Sequence, residues 1–192
     1  MKDSVKTLVL ITTFFAFLFP VTAQLKLPVA SALANDVKNI IKAYPSHFAE
    51  MKGELLAEHP QSTDYSCTSK VSGEEESFIT RYSSKKEIYS WQALLLTTES
   101  FDKAKQKFRS FYNQLNNLTV KVDGIGTLHL KGKYEAPEEE NKFTSVLFTD
   151  EKQPDGTDKL VMELSLQFQI PVEWKVKLMV YGREKETGDR VP

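Results

Sequence analysis

The chain has 192 residues, with 25 Lys and Arg against 26 Asp and Glu, and a formal net charge of −1 at pH 7. This near-neutral balance gives no electrostatic basis for binding nucleic acid. Hydrophobic residues make up 41% of the chain, which is enough for the core of one ordinary domain.

Residues 1–23 have the pattern of a secretory signal peptide. Lys2 and Lys6 give a positively charged start, residues 8–19 are largely apolar, and residues 21–23 provide small side chains at the expected cleavage site. The apolar stretch is short for a transmembrane span, and a retained N-terminal anchor is the alternative. We therefore expect an exported protein, periplasmic or extracellular, with no membrane span once the signal is removed.

Residues 24–182 are predicted to form a single domain, followed by a polar C-terminal tail at residues 183–192. Cys67 is the only cysteine, so an intrachain disulfide is impossible and stability must come from packing. We expect its thiol to be buried as a small apolar group, because no histidine with an orienting partner can be identified near it in the sequence.

The first half of the domain, residues 31–98, is predicted to be one helix followed by four strands. Ser31 can cap the helix and Pro45 ends or kinks it. One helix face repeats at three- and four-residue spacing and consists of Leu33, Val37, Ile40, Ile41 and Tyr44. The four predicted strands are residues 52–58, 62–71, 77–82 and 87–98.

Residues 100–117 contain the clearest helix in the chain. Ser100 is a good N-cap, Asp102 suits the positive end of the helix dipole, and Asn116 and Asn117 are predicted to end the helix. The apolar face consists of Phe101, Ala104, Phe108, Phe111, Tyr112 and Leu115. We expect this face to pack against a sheet rather than to bind a cofactor or ligand.

The second half, residues 100–182, begins with this helix, and residues 118–122 then lead into a glycine-containing loop. The four strands predicted after that loop are residues 127–135, 142–150, 159–170 and 172–181. The inward-facing parity of the last two strands is the same on both sides of Pro171, whereas a two-residue hairpin turn would invert it. We therefore expect a hairpin loop of odd length around Pro171.

Two landmarks recur in the same order in both halves. The Lys-Gly pair at residues 52–53 resembles the pair at 131–132, and the strand with Trp91 resembles the strand with Trp174. Chance is the alternative explanation, because such pairs are common. The order of elements agrees with the order of landmarks, which favours an internal duplication. The sequence thus predicts an α+β fold, an antiparallel sheet with two main helices on one face, built from two similar α-β-β-β-β halves.

Candidate functional residues are few. The three histidines lack metal-ligand spacing, and the chain has no zinc, nucleotide-binding or hydrolase motif. Asp123 with Gly124 and Gly126 weakly resembles an anion or calcium loop, although a calcium site needs more oxygen ligands. Together with His129 these residues form the candidate site, and we expect ligands at the seam between the two halves, where concave sites tend to form.

The leading functional hypothesis is a secreted or periplasmic binding or interaction domain without catalysis and without a cofactor. Its partner would be a protein or a small molecule. One alternative is a carrier of an apolar small molecule, which an internal apolar cavity would favour. The other is a hydrolase-type enzyme that uses His129 and Asp123, which a cleft holding both side chains would favour.

Overall fold

The computed structural model describes residues 32–83, 88–150, 152 and 159–183. The predicted signal peptide and the predicted tail beyond Arg183 lie outside these residues. Within them the chain forms a seven-stranded antiparallel sheet, a separate two-stranded sheet and two α-helices. This architecture confirms the predicted α+β class. None of the helices in these ranges is both long enough and apolar enough to cross a membrane.

The elements in chain order are α1 (Ala32–Ala43), β1 (Lys52–His59), β2 (Ser62–Cys67), β3 (Glu76–Tyr82), β4 (Ile88–Thr98), α2 (Phe101–Leu115), β5 (Leu118–Val122), β6 (Gly126–Leu130), β7 (Phe143–Phe148), β8 (Lys159–Gln169) and β9 (Glu173–Arg183). The main sheet has the order β1-β2-β3-β4-β9-β8-β7, and β5 pairs with β6 in the small sheet. The two halves of the chain therefore meet where β4 pairs with β9.

Helix α2 has the bounds and the cap that the sequence predicts. The Ser100 hydroxyl accepts the backbone N–H of Lys103 at 3.3 Å, and Asn117 adopts a left-handed conformation with φ of 63° just after the helix. The apolar face is buried through Ala104, Phe108, Phe111 and Leu115. It lies against β4, β8 and β9, the central strands of the main sheet, while α1 lies beside α2 and β5.

One face of the main sheet forms the core together with both helices and the small sheet. A row of fully buried side chains crosses five neighbouring strands of this face, and its members are Ile79, Trp91, Val180, Met162 and Phe148. Trp174 lies at the end of the same face and contacts Phe101 of α2, with ring centroids 4.9 Å apart. Both tryptophans therefore face the helix layer.

The opposite face of the main sheet carries polar and apolar side chains together. The Tyr181 hydroxyl donates a hydrogen bond to Oε2 of Glu163 at 3.0 Å. Burial, followed by the negative charge and hydrogen bond of Glu163, raises the pKa of Tyr181 to about 12. Near the β7 edge the side chains of Phe143 and Leu147 are exposed. The two helices and the small sheet bury their apolar side chains in the core, on the face of the main sheet that carries Trp91.

The hairpin that joins β8 and β9 has the predicted odd-length loop. Gln169 pairs with Glu173, which leaves residues 170–172 as the loop around Pro171. Because the loop has an odd number of residues, the same parity faces the core on both strands, from Leu160 on β8 to Val180 on β9.

Helix α1 ends where the sequence predicts, whereas Cys67 is less buried than the sequence predicts. Helix α1 ends at Ala43, because Pro45 lacks a backbone N–H for the helix, and a short 3₁₀ turn follows. Phe48 then adopts φ of 57° and its side chain enters the core. Cys67 is only partly buried, because it ends a strand whose neighbour β1 is the edge of the sheet.

The second half departs from the predicted four-strand run. Residues 118–122 form a strand that pairs with β6, and the predicted strand at residues 127–135 already ends at Leu130. These two strands leave the main sheet because their alternate apolar side chains pack into the core as a separate layer. Lys131 then joins the edge of the main sheet through a bridge to Thr149.

The internal duplication remains a prediction. The two Lys-Gly pairs do occupy related places, since Lys52 pairs with Cys67 on β2 and Lys131 forms its bridge to Thr149 just after β7. At both glycines an added Cβ would collide with the adjacent strand. The extra β5–β6 hairpin has no counterpart among the described residues of the first half.

Truncating the α2 core face tests the packing of that helix. We expect Phe108→Ala to lower the free energy of unfolding by about 3–5 kcal/mol, because the fully buried ring would leave a cavity. The matched change Lys107→Ala, on the exposed side of the same turn, should stay within about 0.5 kcal/mol. Chemical denaturation of both variants measures the difference, and equal effects would contradict the assigned helix face.

Gly132 tests the close approach at the edge of the second half. A Cβ at this position would lie 2.8 Å from Cδ1 of Phe148 and would also meet Val146 and the backbone of Leu147. Gly132→Ala should therefore destabilise the fold by about 1–3 kcal/mol through overpacking. Lys133→Ala, at the neighbouring exposed position, should be close to neutral in the same denaturation experiment, and a neutral Gly132→Ala would show that β7 does not lie this close.

Candidate functional site

The glycines of the predicted site are explained by the turn between β5 and β6. Val122 pairs with Gly126, which leaves residues 123–125 as a three-residue turn. Gly124 and Gly126 have φ of 79° and 110°, a region that L side chains rarely adopt. Asp123 is exposed at the tip of this hairpin. The two glycines are therefore explained by the positive φ angles that this hairpin turn requires.

The four predicted site residues do not lie at the seam between the halves. That seam is the pairing of β4 with β9, whereas Asp123, Gly124, Gly126 and His129 lie on the β5–β6 hairpin. His129 is on β6, opposite Thr119 of β5, and its Nδ1 lies 3.1 Å from the Thr119 hydroxyl oxygen. The predicted site residues therefore lie near the β7 edge of the main sheet, and the predicted seam lies in the middle of that sheet.

A cavity of about 450 Å³ opens beside His129. The described residues that line it come from β6, from the bridge between Lys131 and Thr149, and from the segment that follows β7, and they are His129, Lys131, Thr149, Asp150 and Lys152. Among the described lining residues the carboxylate is therefore Asp150, and Asp123 is not one of them. His129 is the one residue that this cavity shares with the site predicted from the sequence.

Asp150 holds the two sides of the cavity together. Its Oδ2 accepts the backbone N–H of His129 and its Oδ1 accepts the backbone N–H of Lys152, both at 2.8 Å. Burial of the carboxyl opposes ionisation, but these two hydrogen bonds and the nearby charges of His129 and Lys152 outweigh it and lower the pKa of Asp150. The side chain is thus a buried, ionised link between β6 and the segment after β7.

The bridge between Lys131 and Thr149 joins two of the residues that line the cavity. The backbone N–H groups of Lys131 and Thr149 each donate to the carbonyl of the other residue at 3.1 Å. The next residue, Gly132, donates its N–H to Oδ1 of Asn116 at 3.1 Å, and its carbonyl accepts the Tyr112 hydroxyl at 3.1 Å. The lysine that lines the cavity is therefore anchored both to β7 and to the end of α2.

The Asp150 carboxylate and the His129 imidazole have separate partners at the cavity. Asp150 bonds to the backbone N–H of His129, while the imidazole is placed against the Thr119 hydroxyl. The described contacts therefore do not include a carboxylate that orients the His129 imidazole. Among the side chains that the structure describes, no group of three or more His, Cys, Asp or Glu is arranged to hold a metal ion.

Sequence reasoning found His129 but missed Asp150, Lys131 and Lys152 as parts of one site. Asp150 ends a predicted strand, and nothing in its local sequence distinguishes it from an ordinary strand-terminating residue. Its partner His129 lies 21 positions earlier in the chain. The bridge between Lys131 and Thr149 brings them together, and neither periodicity nor motif spacing indicates that bridge.

No protein family, no curated protein and no solved structure matches this chain. The geometry of the cavity and the composition of its wall therefore carry the functional interpretation.

Removing the Asp150 charge tests its role as the link. Asp150→Asn should lower the free energy of unfolding at pH 7 by about 1–3 kcal/mol, because an amide has a single acceptor oxygen for two partly buried N–H donors. The folded pKa is lowered, so the stabilisation is complete above the unfolded value of 3.8 and is lost as the pH falls through that value toward the folded pKa.

Urea unfolding of the wild type and the variant between pH 7 and pH 3 measures this difference. The gap between the two proteins should narrow in acid. Asp123→Asn, at the exposed hairpin tip, is the matched control and should stay within about 0.5 kcal/mol at every pH. A gap that is absent at pH 7, or that widens in acid, would contradict the assigned role of Asp150.

Proposed function

We propose that the chain is an exported, non-catalytic binding domain, and that the cavity beside His129 is where it binds a small polar ligand. The carrying observation is a cavity of about 450 Å³ whose described wall consists of polar and charged side chains. That volume is within the range of about 300–1,000 Å³ found for small-molecule sites.

Preorganisation of the wall supports this proposal. The backbone around the cavity is fixed by the two Asp150 hydrogen bonds and by the bridge between Lys131 and Thr149. The side chains of Lys131, Lys152 and His129 remain exposed at the opening. A rigid backbone that presents exposed donor groups lowers the ordering cost of binding.

The two alternative functions receive less support from this cavity. A carrier of an apolar molecule would need an apolar wall, but the described lining residues are two lysines, a histidine, a threonine and an aspartate. A hydrolase based on His129 and Asp123 would need both side chains in one cleft, but the described wall contains Asp150 in that place. Export itself rests on the pattern of residues 1–23.

Native mass spectrometry of the protein purified from its own host tests the proposal. We expect a species heavier than the polypeptide by the mass of a small molecule, and a polypeptide mass that lacks residues 1–23. Thr149→Phe should abolish the added mass, because the ring would occupy the cavity while the backbone bridge to Lys131 is kept.

Thr127→Phe is the matched control, since Thr127 is exposed on β6 and is not among the described lining residues. It should retain the added mass. If the wild type carries no added mass from its host, or if Thr149→Phe retains it, the cavity is not the binding site. A polypeptide mass that includes Met1 would remove the basis for export.

A further inference from the structure

We infer that the ligand of this cavity presents an oxyanion, a carboxylate or a phosphate group, to Lys131, Lys152 and His129. This inference rests on the proposed function and names the chemical class of the ligand. Two observations support it. The described cavity wall has an excess of positive charge, and its one described carboxylate, Asp150, already accepts two backbone N–H groups.

The described wall has an excess of positive charge. It holds the ammonium groups of Lys131 and Lys152, the imidazole of His129 and one carboxylate, Asp150. With His129 neutral the sum is +1, and protonation of the imidazole raises it to +2. The whole chain has a formal net charge of −1 at pH 7. The positive charge at the cavity is therefore local and does not come from a basic composition of the chain.

The Asp150 carboxylate is already engaged by two backbone donors. Each of its oxygens already accepts a backbone N–H at 2.8 Å. Elsewhere in the described chain, Lys133 lies 3.2 Å from Glu135 and Lys175 lies 3.5 Å from Glu173. Within the described residues, the ammonium groups of Lys131 and Lys152 have no comparable carboxylate contact.

The donor chemistry matches an oxyanion. Ammonium groups provide N–H donors with a full positive charge, and charge-assisted hydrogen bonds to carboxylate or phosphate oxygens are stronger than neutral ones. The Thr119 hydroxyl lies against Nδ1 of His129. When that hydroxyl donates to Nδ1, the proton of the neutral ring is on Nε2, which gives a further donor for an anion.

Two-dimensional ¹H–¹⁵N NMR tests this inference, with the exported protein titrated with sodium phosphate and, separately, with sodium acetate. Ionic strength is held constant with sodium chloride, and a chloride-only series serves as the blank. We expect saturable shifts of the backbone amides of His129, Thr149 and Lys152 with at least one of the two anions. Tighter binding of phosphate would indicate a phosphate-bearing ligand, and tighter binding of acetate a carboxylate.

Lys131→Gln and Lys152→Gln should each weaken the affinity roughly tenfold, which corresponds to about 1.4 kcal/mol. Lys133→Gln is the matched control, because Lys133 is exposed and already paired with Glu135, and it should leave the affinity unchanged. Unfolding midpoints of the three variants confirm that they are folded. Shifts that do not saturate, that chloride reproduces, or that survive the Lys131→Gln/Lys152→Gln double substitution would overturn the oxyanion assignment.

The same double variant separates this inference from the proposed function. If the double variant still retains the mass seen in the native spectrum while Thr149→Phe loses it, the cavity binds a ligand that is not an oxyanion, and only this inference fails. If the wild type shows no added mass, the proposed binding function fails, and if it also shows no saturable shift, the ligand class fails with it.

Discussion

The pairing of β4 with β9 is the constraint on which the rest of the structure depends. It joins the two halves of the chain into one sheet and removes two edges that would otherwise expose unpaired backbone groups. It also places Trp91 next to Val180 in the middle of the core. The indole N–H of this buried Trp91 has no acceptor among the described residues, which costs about 1–3 kcal/mol.

The cavity is a consequence of how the second half completes that sheet. The β5–β6 hairpin leaves the main sheet and packs on the core, and the chain returns to the β7 edge at the bridge between Lys131 and Thr149. Asp150 then binds the backbone of β6 across the resulting gap. A buried carboxylate is stable only when its oxygens accept hydrogen bonds. The Asp150 carboxylate therefore needs the two backbone N–H donors, and these hydrogen bonds in turn hold the segment after β7 in place.

This arrangement gives the cavity a fixed backbone and exposed cationic side chains. The only carboxylate in its described wall is held by backbone donors, so it stabilises the fold and offsets only part of the positive charge. The proposed polar ligand of opposite charge rests on this combination.

The sequence by itself determined what depends on neighbouring residues. The cap and apolar face of α2, the odd loop around Pro171 and the orientation of both tryptophans follow from spacing and local backbone chemistry. Tertiary structure alone decided that β5 and β6 form a separate sheet and that Asp150 binds His129. Those features depend on strand register and on competition between layers for the same core, and short-range periodicity contains neither.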